Sequence, residues 1–202
     1  MILEIVQCGN PVLREKGQRI DHVTPELRQL ADDMIETMHA ANGIGLAAQQ
    51  VSRALMLAII DATASELPSE LIVNGQLQDM TAWMPLALVN PVLSNPEGEQ
   101  IASEGCLSVP DVTADIRRAS RITVRAQNLD EKEITFDCTG LLARAVQHEV
   151  DHLNGILFID RMDAATRASF AGKIKKLQKE TQAKLSKAVK PRRKLVSRLV
   201  MR

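Results

Sequence analysis

The stretch Gly140-Leu141-Leu142-Ala143-Arg144-Ala145-Val146-Gln147-His148-Glu149-Val150-Asp151-His152-Leu153-Asn154-Gly155 decides how this chain is read. Leu141, Leu142, Ala145, Val146 and Glu149 recur at helical spacing, and Asn154-Gly155 offers a left-handed stop. The pattern predicts a short helix among mostly apolar neighbours. On that helix His148 and His152 stand at i and i+4, where Cβ atoms on one face lie about 5–6 Å apart. Two imidazole nitrogens can then converge on one metal ion, and Glu149 can handle the proton of a water there. The chain holds four histidines, His22, His39, His148 and His152, so half of them fall in one pentad. Chance also produces such pairs, and the pentad alone fits many metallohydrolases.

Composition narrows the class. At 202 residues the chain fits one domain with a substantial core. Aromatics make up 2% with no tyrosine, so the core must be aliphatic and Met-rich. No apolar run approaches the ~20 residues that span a membrane. The start, Met1-Ile2-Leu3-Glu4-Ile5-Val6, is too short and acidic for a signal peptide and lacks the arginines of a transit peptide. Cys8, Cys106 and Cys138 do not make a disulfide framework, so a reducing, cytoplasmic protein is expected. The net charge of zero hides an asymmetry: residues 163–202 hold 13 basic and 2 acidic residues, and residues 1–162 hold 12 and 23. The chain is an acidic body with a basic tail.

Further from the pentad, Thr24 and Pro25 open a helix to about Ala41, with Leu27, Leu30, Met34, Ile35 and Met38 on one face and Asn42-Gly43 as its stop. Ala54–Ile60 reads as a buried strand, residues 62–82 as a loop-rich insertion, and Leu86–Val92 as a strand interrupted by Pro91. Arg121–Ala126 alternates, as do Ile134 and Phe136 after a turn at Asn128–Glu131, which predicts a hairpin. From Asp163 a helix carries a narrow stripe of Phe170, Ile174, Leu177 and Leu185. Lys190-Pro191 is expected to end it, before a mobile basic end from Arg192-Arg193-Lys194. Strands in the middle and helices towards both ends predict α+β.

A metal needs a third ligand. Zincin-type peptidases place it downstream, but no histidine follows the pentad and Glu180 is the sole glutamate there. Upstream, Glu104-Gly105-Cys106-Leu107-Ser108 offers a thiolate on a turn, which reaches a metal at ~2.3 Å. A free cysteine is as often a small buried hydrophobe. Gly43-Ile44-Gly45-Leu46-Ala47-Ala48-Gln49-Gln50 combines small residues, which let another backbone approach, with the amide of Gln50. The same segment also reads as a helix stop followed by an ordinary tight loop.

These three segments, in this order, resemble the signature motifs of the peptide deformylases, and the similarity spans residues 3–160. The resemblance implies an α+β fold with antiparallel sheets packed around a central metal-binding helix, and an added basic C-terminal helix. It implies a catalytic domain over 1–162, to which the charge and apolar stripe of residues 163–202 add a basic helical extension. Carried over by motif position, Cys106, His148 and His152 bind the metal and Glu149 is general base and acid. Gln50 and the backbone N–H of Leu107 form an oxyanion hole. The backbone at Ile44, Gly45 and Gly105 pairs with the extended substrate. The family removes the formyl group from N-formylmethionine at the start of nascent polypeptides and releases formate. Its usual metal is Fe(II), with Zn, Ni or Co able to take its place. A ribosome contact through the basic C-terminal helix is a further implied partner, the alternative being a solvated helix whose lysines serve solubility. Leu46, Leu141 and Ala145 are expected to line an apolar slot for methionine.

The chain departs from the family pattern in its insertion at 62–82 and at Thr113, where many members have an arginine facing the substrate. Arg144, one turn before His148, is read as a solvated arginine, the alternative being an effect on substrate preference. Glu104 is expected to find an arginine partner in Arg118 or Arg121. The competing readings are a zinc endopeptidase and a non-catalytic, ribosome-associated or metal-storing protein. The missing downstream ligand speaks against the first and the intact Glu149 against the second.

Overall fold

The computed structural model describes residues 1–199, with side chains to Lys187. Helix α1 spans Pro25–Ala40. Thr24 Oγ1 accepts from the Leu27 N–H at 3.3 Å, a cap that contributes about 1 kcal/mol. Asn42 takes the left-handed conformation, and the Gly43 N–H returns to the Met38 carbonyl, which closes the helix. Leu27, Ala31, Met34 and Met38 bury one face against Leu46, Leu57, Ile59 and Val89, while Leu30 and Ile35 flank it half-buried.

The strands are β1 (Gly45–Ala47), β2 (Leu57–Ile60), β3 (Ser69–Val73), β4 (Gln76–Leu77), β5 (Leu86–Glu97), β6 (Gln100–Cys106), β7 (Val109–Arg118), β8 (Arg121–Gln127) and β9 (Glu133–Thr139). Seven form one antiparallel sheet in the order β1-β2-β5-β8-β9-β3-β4, and β6 pairs with β7 as a separate ribbon. Helix α2 spans Gly140–Leu153. Its Leu142, Ala143, Ala145 and Val146 are buried with Ile60, Leu71, Leu88, Val124 and Phe136 of the large sheet. The architecture is mixed helix and antiparallel sheet, as the sequence predicts.

Several segments differ from their sequence reading. The insertion at 62–82 is not merely loop, because β3 joins β9 through Leu71 and Cys138. It also serves α2, whose start lacks a side-chain cap at Thr139. The Leu141 N–H donates to the Pro68 carbonyl at 3.1 Å, and the Leu142 N–H to Ser69 Oγ at 3.0 Å. Those N–H groups would otherwise be orphaned at the helix start. Strand β5 runs past Pro91, since a register shift between Val89 and Val92 takes the proline out of the ladder and Asn90 absorbs the bend at φ 52°.

Helix α3 spans Ala164–Leu199, with Asp163 Oδ1 accepting from the N–H groups of Ala165 and Thr166. It continues through Pro191 instead of stopping there. One proline removes one hydrogen bond and costs about 3 kcal/mol, which flanking helix formers such as Lys, Arg and Leu can tolerate. Phe170, Ile174 and Leu177 pack with Cys8, Val109, Val112, Ile116 and Phe158. Leu185 leaves that stripe and is exposed. The basic end from Arg192 lies beyond the described side chains.

Candidate active site

Helix α2 brings the pentad under β1 and beside the β6–β7 ribbon. Gly140 turns the chain from β9 into the helix at φ 60°, and a Cβ there would stand 2.0 Å from the Pro68 carbonyl oxygen. His148 and His152 follow on one face, with ring centroids 5.1 Å apart. The third group comes from far upstream. The β6–β7 register shifts between Gly105 and Cys106, and this irregularity ends the ribbon with Cys106 Sγ 3.2 Å from His152 Nε2. One donor atom from each of Cys106, His148 and His152 lies within 4.8 Å of the others.

The surroundings set the two histidines apart in protonation. Glu104 Oε2 lies 3.0 Å from His148 Nδ1, so that nitrogen donates to the carboxylate and the other ring edge is left for the Cys106 side. Burial lowers the His148 pKa, but hydrogen bonds to Cys106 and Glu104 and the charge of Glu149 raise it to about 10. Burial, with the charge of His148, pushes His152 well below the ordinary histidine range, so it is neutral. A pKa that high means that His148 holds a proton until a divalent metal takes its place, and the Cys-His-His set that results is one that divalent transition metals accept.

Glu149 is buried, with Oε2 lacking a hydrogen-bond partner among the described residues. Burial raises its pKa to about 7 against the opposing charge of His148. The β1 backbone lies so close that a Cβ on Gly45 would fall 2.3 Å from Glu149 Oε1. Gly45→Ala is therefore expected to displace the carboxylate and cut turnover by at least ~10²-fold, within the usual worth of a positioned acid–base group. Wild-type turnover for this variant would show that the carboxylate has room to spare.

Gln50 is oriented by its neighbours. Its Oε1 accepts from the Ala47 N–H at 2.8 Å, which turns Nε2 towards Ser108 Oγ at 3.3 Å and Cys106 Sγ at 3.6 Å. Ile44, Gly45, Gln50, Gly105, Cys106, Leu107, His148 and Glu149 all line one cleft of about 400 Å³. His152 lies beneath it, fully buried. All nine residues that the sequence singles out thus meet at one place.

Two expectations around the site, on Leu46 and Arg144, need correction, and the open choice of partner for Glu104 is decided. Leu46 does not line the cleft: its side chain faces the opposite side of β1 and is buried with Met34 and Leu57. Leu141, Ala145 and Thr113 do line it. Glu104 pairs with Arg118, through Nε and Nη2 at 3.0 Å each, while Arg121 goes to Asp137. Arg144 is not solvated. It is 4% exposed and donates to Glu104 Oε1 at 2.6 Å and to the carbonyls of Gln100, Ala102 and Ile116.

The sequence reading also passed over Asp151, whose carboxylate joins Arg118 at 2.5 Å and Arg161 at 2.6 Å. An arginine on an apolar helix face is the one local signal that could have revealed Arg144. The net result is a chain of charges from the exposed Arg161 through the buried Asp151, Arg118 and Glu104 to His148.

Comparison with known proteins agrees with this geometry. Residues 2–168 match the family model for polypeptide deformylase. The chain is 44% identical over 186 residues to the peptide deformylase of Opitutus terrae, covering 91% of this chain and 96% of that one. It is 41% identical over 179 residues to that of Methylacidiphilum infernorum, covering 89% and 94%. Among solved structures, the peptide deformylase of Thermus thermophilus aligns with a TM-score of 0.75 at 31% identity, over 89% of this chain and 99% of that one. The plant enzyme PDF1B of Arabidopsis thaliana, solved with an inhibitor, aligns with 0.78 at 31%, over 90% and 93%. A family match over most of its length, joined to relatives above 40% identity along nine-tenths of it, means that this chain belongs to the polypeptide deformylase family.

Proposed function

We propose that this chain hydrolyses the N-formyl amide of N-formylmethionine at the start of nascent polypeptides, releasing formate and a free amine. The observation that carries the reading is the convergence of Cys106, His148 and His152 with Glu149 and Gln50 on one cleft. We assign the three ligands to one divalent metal, with Fe(II) first and Zn, Ni or Co as substitutes. When bound, the metal supplies Lewis acidity towards water and the formyl carbonyl.

The protein's own groups do the rest. Glu149, poised near neutrality, takes a proton from the attacking water and returns it to the departing nitrogen as the C–N bond breaks. Gln50 Nε2 and the Leu107 N–H are assigned to the oxyanion, where one such donor is worth about 3–4 kcal/mol of barrier. The backbone at Ile44, Gly45 and Gly105 is assigned to an extended peptide. A formyl carbon bears only hydrogen, so a narrow site can admit it and reject acetyl.

Formate release from formyl-Met-Ala with added Fe(II) or Ni(II), under reducing conditions, tests the activity. Its absence beside casein digestion would restore the endopeptidase reading, which has no support among the relatives. Cys106→Ser is expected to lower bound metal well below one equivalent per chain, read by metal analysis after dialysis. Full stoichiometry with full activity would remove Cys106 from the ligand set.

Residues 1–162 are proposed as the catalytic unit of a cytoplasmic enzyme, and 163–202 as a helical extension that meets the ribosome. The charge of that extension supports the contact, since its 13 basic against 2 acidic residues favour phosphate-rich surfaces. Ribosome co-sedimentation should fall steeply between 50 and 200 mM salt, by roughly 10³-fold or more if six phosphates are met. Salt-independent binding would sink the electrostatic contact. No helix among the described residues is long and apolar enough to cross a membrane.

A further inference from the structure

A second cleft, of about 420 Å³, borders α2 and shares no lining residue with the catalytic one. Its lining is of two kinds. Leu93, Ala119 and Val150, each half-buried, give apolar surface. Arg117, Arg118 and Arg161 bring positive charge, set against the carboxylates of Glu99 and Asp151. The cleft is held open by its own framework. Gln147, which also lines it, accepts from the Ala119 N–H at 3.1 Å and donates to the Ala119 carbonyl at 3.0 Å, fixing the chain after β7 against α2.

The three guanidiniums are not equally engaged. Arg118 is buried, with Nε and both terminal nitrogens on Glu104 and Asp151. Arg161 gives Nε and Nη2 to Asp151 at 3.1 and 2.6 Å and leaves Nη1 without a partner among the described residues. Arg117 gives Nη1 to Glu99 and leaves Nε and Nη2 without one among the same residues. Free donors therefore stand at the cleft on two arginines that solvent and a ligand can reach. Three guanidiniums against two carboxylates leave the lining with one net positive charge. One ligand carboxylate balances that charge, and a phosphate dianion overshoots it. A guanidinium fork matches the two oxygens of a carboxylate, and the apolar residues suit a short hydrocarbon body.

We propose that this cleft is a second binding site, for a small aliphatic monocarboxylate held by Arg117 and Arg161 with its hydrocarbon end on Leu93 and Val150. The site is independent of the deformylase reading, since none of its residues is assigned to the hydrolysis.

Amide chemical shifts of the full chain with Zn(II) added test it, in separate titrations with sodium butyrate, formate and phosphate at constant ionic strength. Butyrate should move the amides of Gly98, Ala119 and Val150 and saturate with a Kd of about 1–10 mM, the range open to so small a ligand. Formate, which lacks the hydrocarbon, should bind at least ~5-fold more weakly, and phosphate should also bind more weakly than butyrate. Arg117→Gln alters an exposed ion pair and should leave the fold intact while weakening butyrate ~3-fold or more. Glu99→Gln removes the carboxylate that competes for Arg117 and should tighten butyrate by a similar factor. Shifts confined to Gly45 and Gly105 would put the anion in the catalytic cleft alone and overturn the proposal. Phosphate binding tighter than butyrate, or formate binding as well as butyrate, would overturn it by denying the chemistry assigned to the lining. A butyrate Kd that neither variant moves would overturn it as well. The readout is a shift at named amides, so a failure of the deformylase assay leaves the result of this one intact.

Discussion

Formate release by Glu149→Ala is expected to fall by at least ~10³-fold at pH 7, with bound metal unchanged. The carboxylate touches none of the three metal-ligand candidates as a ligand, so its loss should spare the metal. It is buried, held under the β1 backbone, and its free Oε2 has no competing partner among the described residues. Burial raises its pKa to about 7, which is close to the ideal for a group that both takes and returns a proton. The base form is the ionised one, so wild-type turnover should climb as pH rises towards 7. A positive ion beside the carboxylate moves that rise lower, never higher. Parallel metal analysis and formate assays across pH 5–9 check both halves. An active Glu149→Ala would end the proposed mechanism.

Glu104→Ala is the second large effect, and it should appear first in stability. Glu104 is the acceptor for Arg118, Arg144 and His148 at once, and all but the imidazole are nearly devoid of solvent. Removing one member of a buried ion cluster leaves uncompensated charge and costs about 3–5 kcal/mol. For a chain of this size that is a fall in Tm of roughly 6–20 °C. Metal affinity should drop about 10–100-fold as well, because His148 loses the acceptor that fixes its ring.

The pH dependence has a definite sign. Burial raises the Glu104 pKa, yet hydrogen bonds from His148 and Arg118 overcome it and hold the group at about 2, below its ordinary 4.5. A depressed carboxylate stabilises fully above the unfolded pKa and loses that contribution as pH falls through the folded one, about 3 kcal/mol in all here. The stability gap between wild type and Glu104→Ala should therefore shrink between pH 4.5 and 2. Urea titrations at several pH values, with chelator in both arms, measure the gap. A gap constant down to pH 2 would mean that Glu104 is not held ionised.

The legible parts of this protein are the local ones. Helix α1 announces itself through Thr24, Pro25 and a 3.6-residue apolar period, and the β8–β9 hairpin through strict alternation about Asn128–Glu131. Both patterns reflect contacts between near neighbours or one continuous buried face. The β6–β7 ribbon was not read as strands, because β6 runs Gln-Ile-Ala-Ser-Glu-Gly-Cys with little alternation and much of it is exposed. Strand β3 hid inside a polar insertion, since its reason to be a strand is the free edge of β9, more than sixty residues later.

The site divides in the same way. The residues themselves determined that His148 and His152 share a face with Glu149 beside them, because helix geometry puts i and i+4 together whatever surrounds them. Motif order added Cys106, Gln50 and Leu107. Only the tertiary structure decided that Arg144 is buried across the cleft, that Leu46 turns into the core, and that Arg118 holds Glu104 in preference to Arg121. Each depends on which strand lies opposite and in what register, and a one-residue slip in a strand reverses every side chain on it. Burial of a charge is a property of its partners, and those partners stand 14 to 44 positions away along the chain.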